Sequence, residues 1–279
     1  MKRKAFTLVE LLTGISLAAV LTAVLMPCLH ITRQRAKSLV CAGNVRELLQ
    51  MITMYDCDNM RFPHGVNTGR QAAPPGGSLA RGRMDSMKRE FNSCGSGWWW
   101  INYITGYDRQ RLLGSDFLKC PARPFLPGRY FNDILSGNYG VNQSVFKLYY
   151  DNPRPDEFRG LPLKSSRIFD PSGTMLLADA GYALVQWRHA ALNAPYKPPN
   201  VKKAARLMDN AYIPGLGINN QTGLLETWPE FRYDAIEGRH PDGRINIGFA
   251  DGHVSSLKAD ALLVEETEPN SFRLGLWKP

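Results

Sequence analysis

Lys2-Arg3-Lys4-Ala5-Phe6-Thr7-Leu8-Val9-Glu10-Leu11-Leu12, continued by an apolar run to Met26, is the stretch that decides how the rest of the chain is read. Between Phe6 and Met26 Glu10 alone carries a formal charge, and a helix of that length, rising about 1.5 Å per residue, crosses roughly 30 Å of hydrocarbon. A membrane-spanning helix is therefore expected. Glu10 needs a separate account, because a carboxylate at bilayer depth is costly and is kept when something neutralises it. An ordinary secretory peptide fits poorly: its apolar core is shorter and ends in a small-x-small cut site, whereas Pro27-Cys28-Leu29-His30 stands here. Lys2, Arg3 and Lys4 favour a cytoplasmic N-terminus, although Arg33, Arg35 and Lys37 just beyond the span weaken that asymmetry.

A short basic leader, a small residue, Phe-Thr-Leu-Val-Glu-Leu-Leu and a long apolar helix together resemble the signal of type IV prepilins and type II secretion pseudopilins. The resemblance implies that a prepilin peptidase cuts between Ala5 and Phe6 and N-methylates Phe6, and that Glu10 is the assembly glutamate of the family. The family usually has Gly where Ala5 stands. Cleavage would free an α-amine within one helical turn of Glu10, and packing against a neighbouring subunit would let the carboxylate meet an amine instead of lipid. A plain membrane anchor is the simpler alternative.

Past the anchor the helical pattern continues. Cys41, Val45, Leu48, Ile52 and Tyr55 recur at three- and four-residue steps and form one stripe, while Arg33, Arg46, Glu47 and Gln50 lie on other faces. One helix is expected from Phe6 to about Asp58, its first half in the membrane and its second packed on a sheet. Pro27, which has no N–H for the Ala23 carbonyl, is expected to kink it. The organisation read from the sequence is a leader at 1–5, a transmembrane helix at 6–29, a soluble half-helix at 30–62 and an α+β head at 63–279, with a β-hairpin motif at 239–257. The fold class is α+β and pilin-like, a long N-terminal helix packed on an antiparallel sheet.

Within the head, residues 63–97 are rich in Gly, Pro, Ser and Arg and read as a long surface loop, and residues 193–229 as an insertion over the sheet. Trp98, Trp99 and Trp100 are consecutive and cannot share one direction on a regular element, so at least one is expected near the surface. Core packing with a subunit contact is preferred over stacking on sugars or bases. Asn138 to Asn142 reads as a turn leading into a strand near Val145 to Tyr150, and Thr174 to Asp179 as a buried strand. Arg244 to Ala250 and His253 to Leu257 alternate around Asp251-Gly252, a hairpin signal because both turn residues tolerate positive φ.

Cys41 with Asn44, Cys120-Pro121, Tyr139-Gly140-Val141-Asn142, Pro171-Ser172, and Arg239-His240 followed by Phe249-Ala250-Asp251-Gly252-His253-Val254 resemble a second pattern. It belongs to bacterial pilin-like proteins that join a prepilin N-terminus to a C-terminal motif of His, nine residues, then Asp-Gly. The motif residues are His240, Asp251 and Gly252. Ten residues separate His240 from Asp251 here, so a bulge or longer turn is expected at Pro241-Asp242-Gly243.

The chain has 279 residues, 44% hydrophobic content and a formal charge of +9. The leader carries three of those charges, and a basic exported head could favour DNA or anionic glycans, though a solvated surface is the plainer reading. No Gly-x-Ser-x-Gly, phosphate loop, His-Glu-x-x-His or paired Cys-x-x-Cys occurs, so no enzyme is expected. Asp179, His240, Asp251 and His253 are the candidate metal ligands, for calcium or zinc. The reading preferred is that no metal is held, and that Asp251-Gly252 is a turn across which His240 hydrogen-bonds. Of five cysteines, Cys28 lies at the membrane boundary. The other four allow three pairings in an oxidising compartment. The family pattern implies Cys41 with Cys120, and Cys57 with Cys94 if a second bridge forms.

The implied function is that of a pilin-like or pseudopilin subunit assembled into a type IV pilus or type II secretion pseudopilus. It would sit in the inner membrane with an exported C-terminal domain, and in a periplasmic or cell-surface filament after assembly. The implied partners are the prepilin peptidase, an assembly platform with its ATPase, other pilin-like subunits and membrane lipid. The rival reading is a membrane-tethered polysaccharide- or DNA-binding protein that does not polymerise.

Overall fold

The computed structural model describes residues 7–67, 98–104, 116–122, 138–149, 157–180, 183–190, 239–268 and 271–279. Helix α1 (Leu8–Asn59) is a single helix of 52 residues. It begins in a capping box: the Thr7 N–H donates to Glu10 Oε2 at 2.9 Å and the Glu10 N–H donates to Thr7 Oγ1 at 3.3 Å, which satisfies two backbone donors left over at a helix start. It ends at Met60, whose left-handed backbone returns its N–H to the Asp56 carbonyl. Pro27 lies inside the helix, which stays helical on both sides of it, and Pro27 has no N–H to give the Ala23 carbonyl.

The two halves of α1 meet different surroundings. From Leu8 to Ile31 the large apolar side chains are exposed. The expected stripe of Cys41, Val45, Leu48, Ile52 and Tyr55 is buried, joined by Asn44, Leu49, Met51 and Asp56. Full burial stabilises by about 1.5–3 kcal/mol per large aliphatic side chain as an upper figure, so the second half is held by tertiary packing, while the first half offers an apolar surface that water does not favour.

The helix lies against a five-stranded sheet. Its strands are β3 (Tyr139–Asn142), β5 (Met175–Asp179), β6 (Leu184–Val185), β7 (Arg244–Phe249) and β8 (Val254–Lys258), in the order β6-β3-β5-β7-β8. Every neighbouring pair is antiparallel except β3 with β6. Smaller pairings join β1 (Val66–Asn67) to β2 (Trp98–Trp99) and β4 (Leu148–Tyr149), and β9 (Glu265–Glu268) to β10 (Ser271–Arg273). The architecture is thus the expected α+β, pilin-like layout. Along β7, Ile245, Ile247 and Phe249 face away from α1, into a second apolar cluster with Leu262, Val264 and Trp277. The alternate residues Asn246 and Gly248 face the helix, where Asn246 Nδ2 donates to the Ser38 carbonyl and a Cβ on Gly248 would lie 2.7 Å from Leu49 Cδ1. In β5 a register shift between Met175 and Leu177 lets Met175 and Ala178 share the far face, which leaves Leu177 and Asp179 toward the helix.

Two local expectations change. Tyr139 to Asn142 is itself a strand, and the turn follows it, with the Val145 and Phe146 N–H groups donating to the Asn142 carbonyl. The hairpin between β7 and β8 is longer than a two-residue Asp-Gly turn: Phe249 N–H donates to the His253 carbonyl across Ala250-Asp251-Gly252, and of Asp251 and Gly252 only Gly252 has positive φ, at 90°. The tryptophans divide at a switch from strand β2 to the short helix α2 (Trp100–Ile104). Trp98 is half-buried, while Trp99 and Trp100 are buried and Trp100 Nε1 donates to the Ala183 carbonyl at 2.9 Å. The loop expected at 63–97 is described only through residue 67, and the insertion at 193–229, Cys94, Ala5 and Phe6 lie outside the described residues.

Candidate functional site

Where α1 crosses the sheet, four side chains from distant parts of the chain converge. Cys41 comes from the buried stripe of α1, and Asp179 from the C-terminal end of the central strand β5. Cys120 follows the 3-10 turn Asp116–Leu118, and His240 precedes the turn Pro241–Gly243 that leads into β7. Their ligating atoms lie within 4.8 Å of one another, and all four residues are buried. Asp179 is the hub. Its Oδ1 accepts from Cys41 Sγ at 2.9 Å, and its Oδ2 meets His240 Nε2 at 2.9 Å and accepts from the Asn246 N–H at 2.7 Å. Cys120 Sγ lies 3.9 Å from His240 Nε2, and the Tyr139 hydroxyl donates to Cys41 Sγ at 3.5 Å.

Polar contacts hold these residues in register. Asn44, one turn beyond Cys41, donates through Nδ2 to the Lys119 carbonyl and to the Tyr139 hydroxyl, and so fixes the Cys120 segment to the helix. The Cys120 N–H donates to Asn138 Oδ1. The buried Arg239 guanidinium donates to the Asn138 and Ala180 carbonyls. At Pro241-Asp242-Gly243 the chain turns with both Asp242 and Gly243 at positive φ, and His240 bridges to Arg244. A turn therefore stands where the extra residue between His240 and Asp251 requires one.

The electrostatics follow from burial and proximity. Burial works against an ionised Asp179, but the hydrogen bond and charge of His240, the charge of Arg239 and the Asn246 amide outweigh it and hold the carboxyl below the usual range. Burial disfavours a charged His240, yet Asp179 and Cys120 overcome this and raise it to about 9. The thiols separate. Burial, the hydrogen bond to Cys120 and the Asp179 charge push Cys41 well up. At Cys120, burial is outweighed by the Cys41 hydrogen bond, His240 and Arg239, and the thiol falls to about 6.

Three expectations about this region are corrected. His240 bonds to Asp179 and not across the Asp251-Gly252 turn, because the Pro241–Gly243 turn directs it toward β5 and the helix. The four candidate ligands Asp179, His240, Asp251 and His253 do not form one group. Asp251 and His253 sit exposed at the hairpin tip, paired with each other at 2.6 Å, with the His253 ring stacked on Phe249. Cys41 and Cys120 are neighbours, but they stand as free thiols engaged with Asp179 and His240, not as a bridge. Cys57 is an exposed free thiol.

Periodicity placed Cys41 on the buried stripe. Nothing in it pointed from Cys41 to Asp179, because that link depends on how the strands are ordered. Of the residues cited for the second resemblance, Cys41, Asn44, Cys120, Tyr139 and His240 surround one point, whereas Asp251 and Gly252 stand apart at the hairpin tip. At the N-terminus, the Thr7-x-x-Glu10 spacing is the capping-box signature, a local role for Glu10 that was readable from the sequence.

No family model matches the sequence, and no solved structure matches it. The chain is similar to the type IV wide pilus major component PilA4 of Thermus thermophilus, 39% identical over 70 residues that make up 25% of this chain and 50% of that protein. The chain thus spans about half the length of the curated relative it matches. That similarity, with the exposed apolar helix at the N-terminus, supports a pilin-like protein.

Proposed function

We propose that this chain is a structural, non-catalytic pilin-like subunit. In this reading prepilin peptidase cleaves it between Ala5 and Phe6 and N-methylates Phe6, and the mature chain is built into a type IV pilus or a type II secretion pseudopilus. The observation that carries the proposal is the division of α1. Its first half shows a predominantly apolar exposed surface with one carboxylate at its start, and its second half is packed into the head. Residues 6–29 would store the subunit in the inner membrane with the head exported, and residues 30–62 would transmit the packing of the filament core to the head at 63–279.

The capping box gives Glu10 a resting partner. Before assembly its carboxylate closes on the Thr7 N–H, at the helix end where the macrodipole favours negative charge. Exchange of that contact for the α-amine of an adjoining copy would set the register between subunits. The partners on this reading are the peptidase, an assembly platform with its ATPase, sibling subunits and membrane lipid. A glycan- or DNA-binding role for the tryptophans finds less support, since Trp99 and Trp100 are in the core.

The test is intact-mass and N-terminal analysis of the full chain co-expressed with a prepilin peptidase. The expected product begins at a methylated Phe6. A product still beginning at Met1 would overturn the proposal. Glu10→Gln should leave cleavage intact and reduce incorporation into filaments.

A further inference from the structure

We infer that the pocket formed by Cys41, Cys120, Asp179 and His240 is a structural zinc site that clamps the N-terminal helix to the head. The four ligand atoms lie mutually within 4.8 Å. A tetrahedral zinc with Zn–S near 2.3 Å and Zn–N or Zn–O near 2.0–2.2 Å sets its ligands roughly 3.3–3.8 Å apart. The contacts between Cys41 and Asp179 and between His240 and Asp179, both 2.9 Å, and between Cys120 and His240, 3.9 Å, bracket those edges. To seat an ion, the 2.9 Å contacts would lengthen and the separations nearer 4.8 Å would shorten, each by up to about 1 Å.

The donor set and its surroundings agree. Two thiolates, an imidazole and a carboxylate suit zinc and exclude calcium, which takes oxygen ligands alone. A dication with three anionic ligands carries one net negative charge, and the buried Arg239 beside Asp179 and Cys120 balances it. The supporting contacts are already in place: the Asn246 N–H holds the carboxylate and the Tyr139 hydroxyl holds the Cys41 sulfur. His240 Nε2 is approached by Asp179 Oδ2 at 2.9 Å, Asn246 Nδ2 at 3.1 Å and Cys120 Sγ at 3.9 Å. One proton on that nitrogen serves one such neighbour, whereas a metal ion at Nε2 organises the carboxylate and the sulfur together. With no coordination position left for water and all four residues buried, the site is closed, as structural zinc sites are. It joins segments as far apart in sequence as residues 41 and 240, tying the helix to the sheet whether or not the chain polymerises.

The experiment uses the full chain, purified in detergent without chelator. Elemental analysis is expected to find one zinc per chain, falling several-fold in Cys120→Ser and in Asp179→Asn and unchanged in Cys57→Ser. Replacement by cobalt is expected to give a thiolate-to-cobalt charge-transfer band and the visible bands of tetrahedral cobalt. The wild-type spectrum does not depend on whether any variant folds. A wild-type chain that takes up neither metal, or one that binds metal equally well after Cys120→Ser and Asp179→Asn, overturns the inference. So does peptide mapping that finds Cys41 and Cys120 joined as a disulfide.

Discussion

Replacing Asp179 by Asn should cost the metal-free protein about 3 kcal/mol near neutral pH. Asp179 is fully buried and takes hydrogen bonds from His240, the Asn246 amide and the Cys41 thiol. The amide keeps the shape of the side chain and an oxygen for Asn246, but it removes the charge that offsets His240. Two routes give the size of the effect. Removing one partner of a buried ion pair typically costs about 3–5 kcal/mol. Separately, raising His240 from its usual 6.5 to about 9, at about 1.4 kcal/mol per tenfold change in proton affinity, amounts to about 3 kcal/mol, with Cys120 supplying part of it. Against a total stability of about 5–15 kcal/mol, that is a large fraction.

The sign of the pH dependence is fixed. His240 has a folded pKa above its unfolded value, so its contribution is complete below about pH 6.5 and is lost as pH rises through about 9. Asp179 has a lowered folded pKa, so its contribution is present above the ordinary carboxylate pKa and is lost as pH falls through the folded one. The stability gap between wild type and Asp179→Asn should therefore be widest between the ordinary carboxylate range and about pH 6.5, remain large near neutrality, and narrow on both sides. Denaturant unfolding of the chelator-treated full chain in detergent, followed by tryptophan fluorescence at several pH values, measures it. A gap under about 1 kcal/mol near neutrality, or one equally large well above pH 9, would refute the ion-pair argument.

Gly248→Ala should destabilise by about 1–3 kcal/mol, because the new methyl would lie 2.7 Å from Leu49 Cδ1 and 3.0 Å from Leu177 Cδ2, with helix and strand both fixed. Gly43→Ala, where a Cβ meets nothing within 4 Å, should stabilise by about 0.5–1 kcal/mol in the same unfolding assay. Trp100→Phe removes the donor to the Ala183 carbonyl and leaves a gap at a fully buried ring. A lowered unfolding midpoint with unchanged peptidase cleavage would place that tryptophan in the core and not in processing.

Much of the outline was legible because it rests on local physics. An apolar run of membrane length needs no tertiary partner to be recognised, the three- and four-residue spacing from Cys41 to Tyr55 names a buried face in any helix, and Gly252 marks a turn wherever strands meet it. The capping box between Thr7 and Glu10 is of the same kind, a contact within one helical turn written in the order of the residues. The buried cluster is of another kind. Whether Asp179 or Asp251 meets His240 depends on which face of β5 points at the helix, which the shift between Met175 and Leu177 determines, and on the turn at Pro241–Gly243 that swings His240 away from the hairpin tip. A one-residue change of register exchanges the faces of a strand, so the sequence could pair Cys41 with Cys120 and Asp179 with His240 but could not join the two pairs at one point. The packing of helix on sheet did that, and with it decided what those four side chains are able to hold.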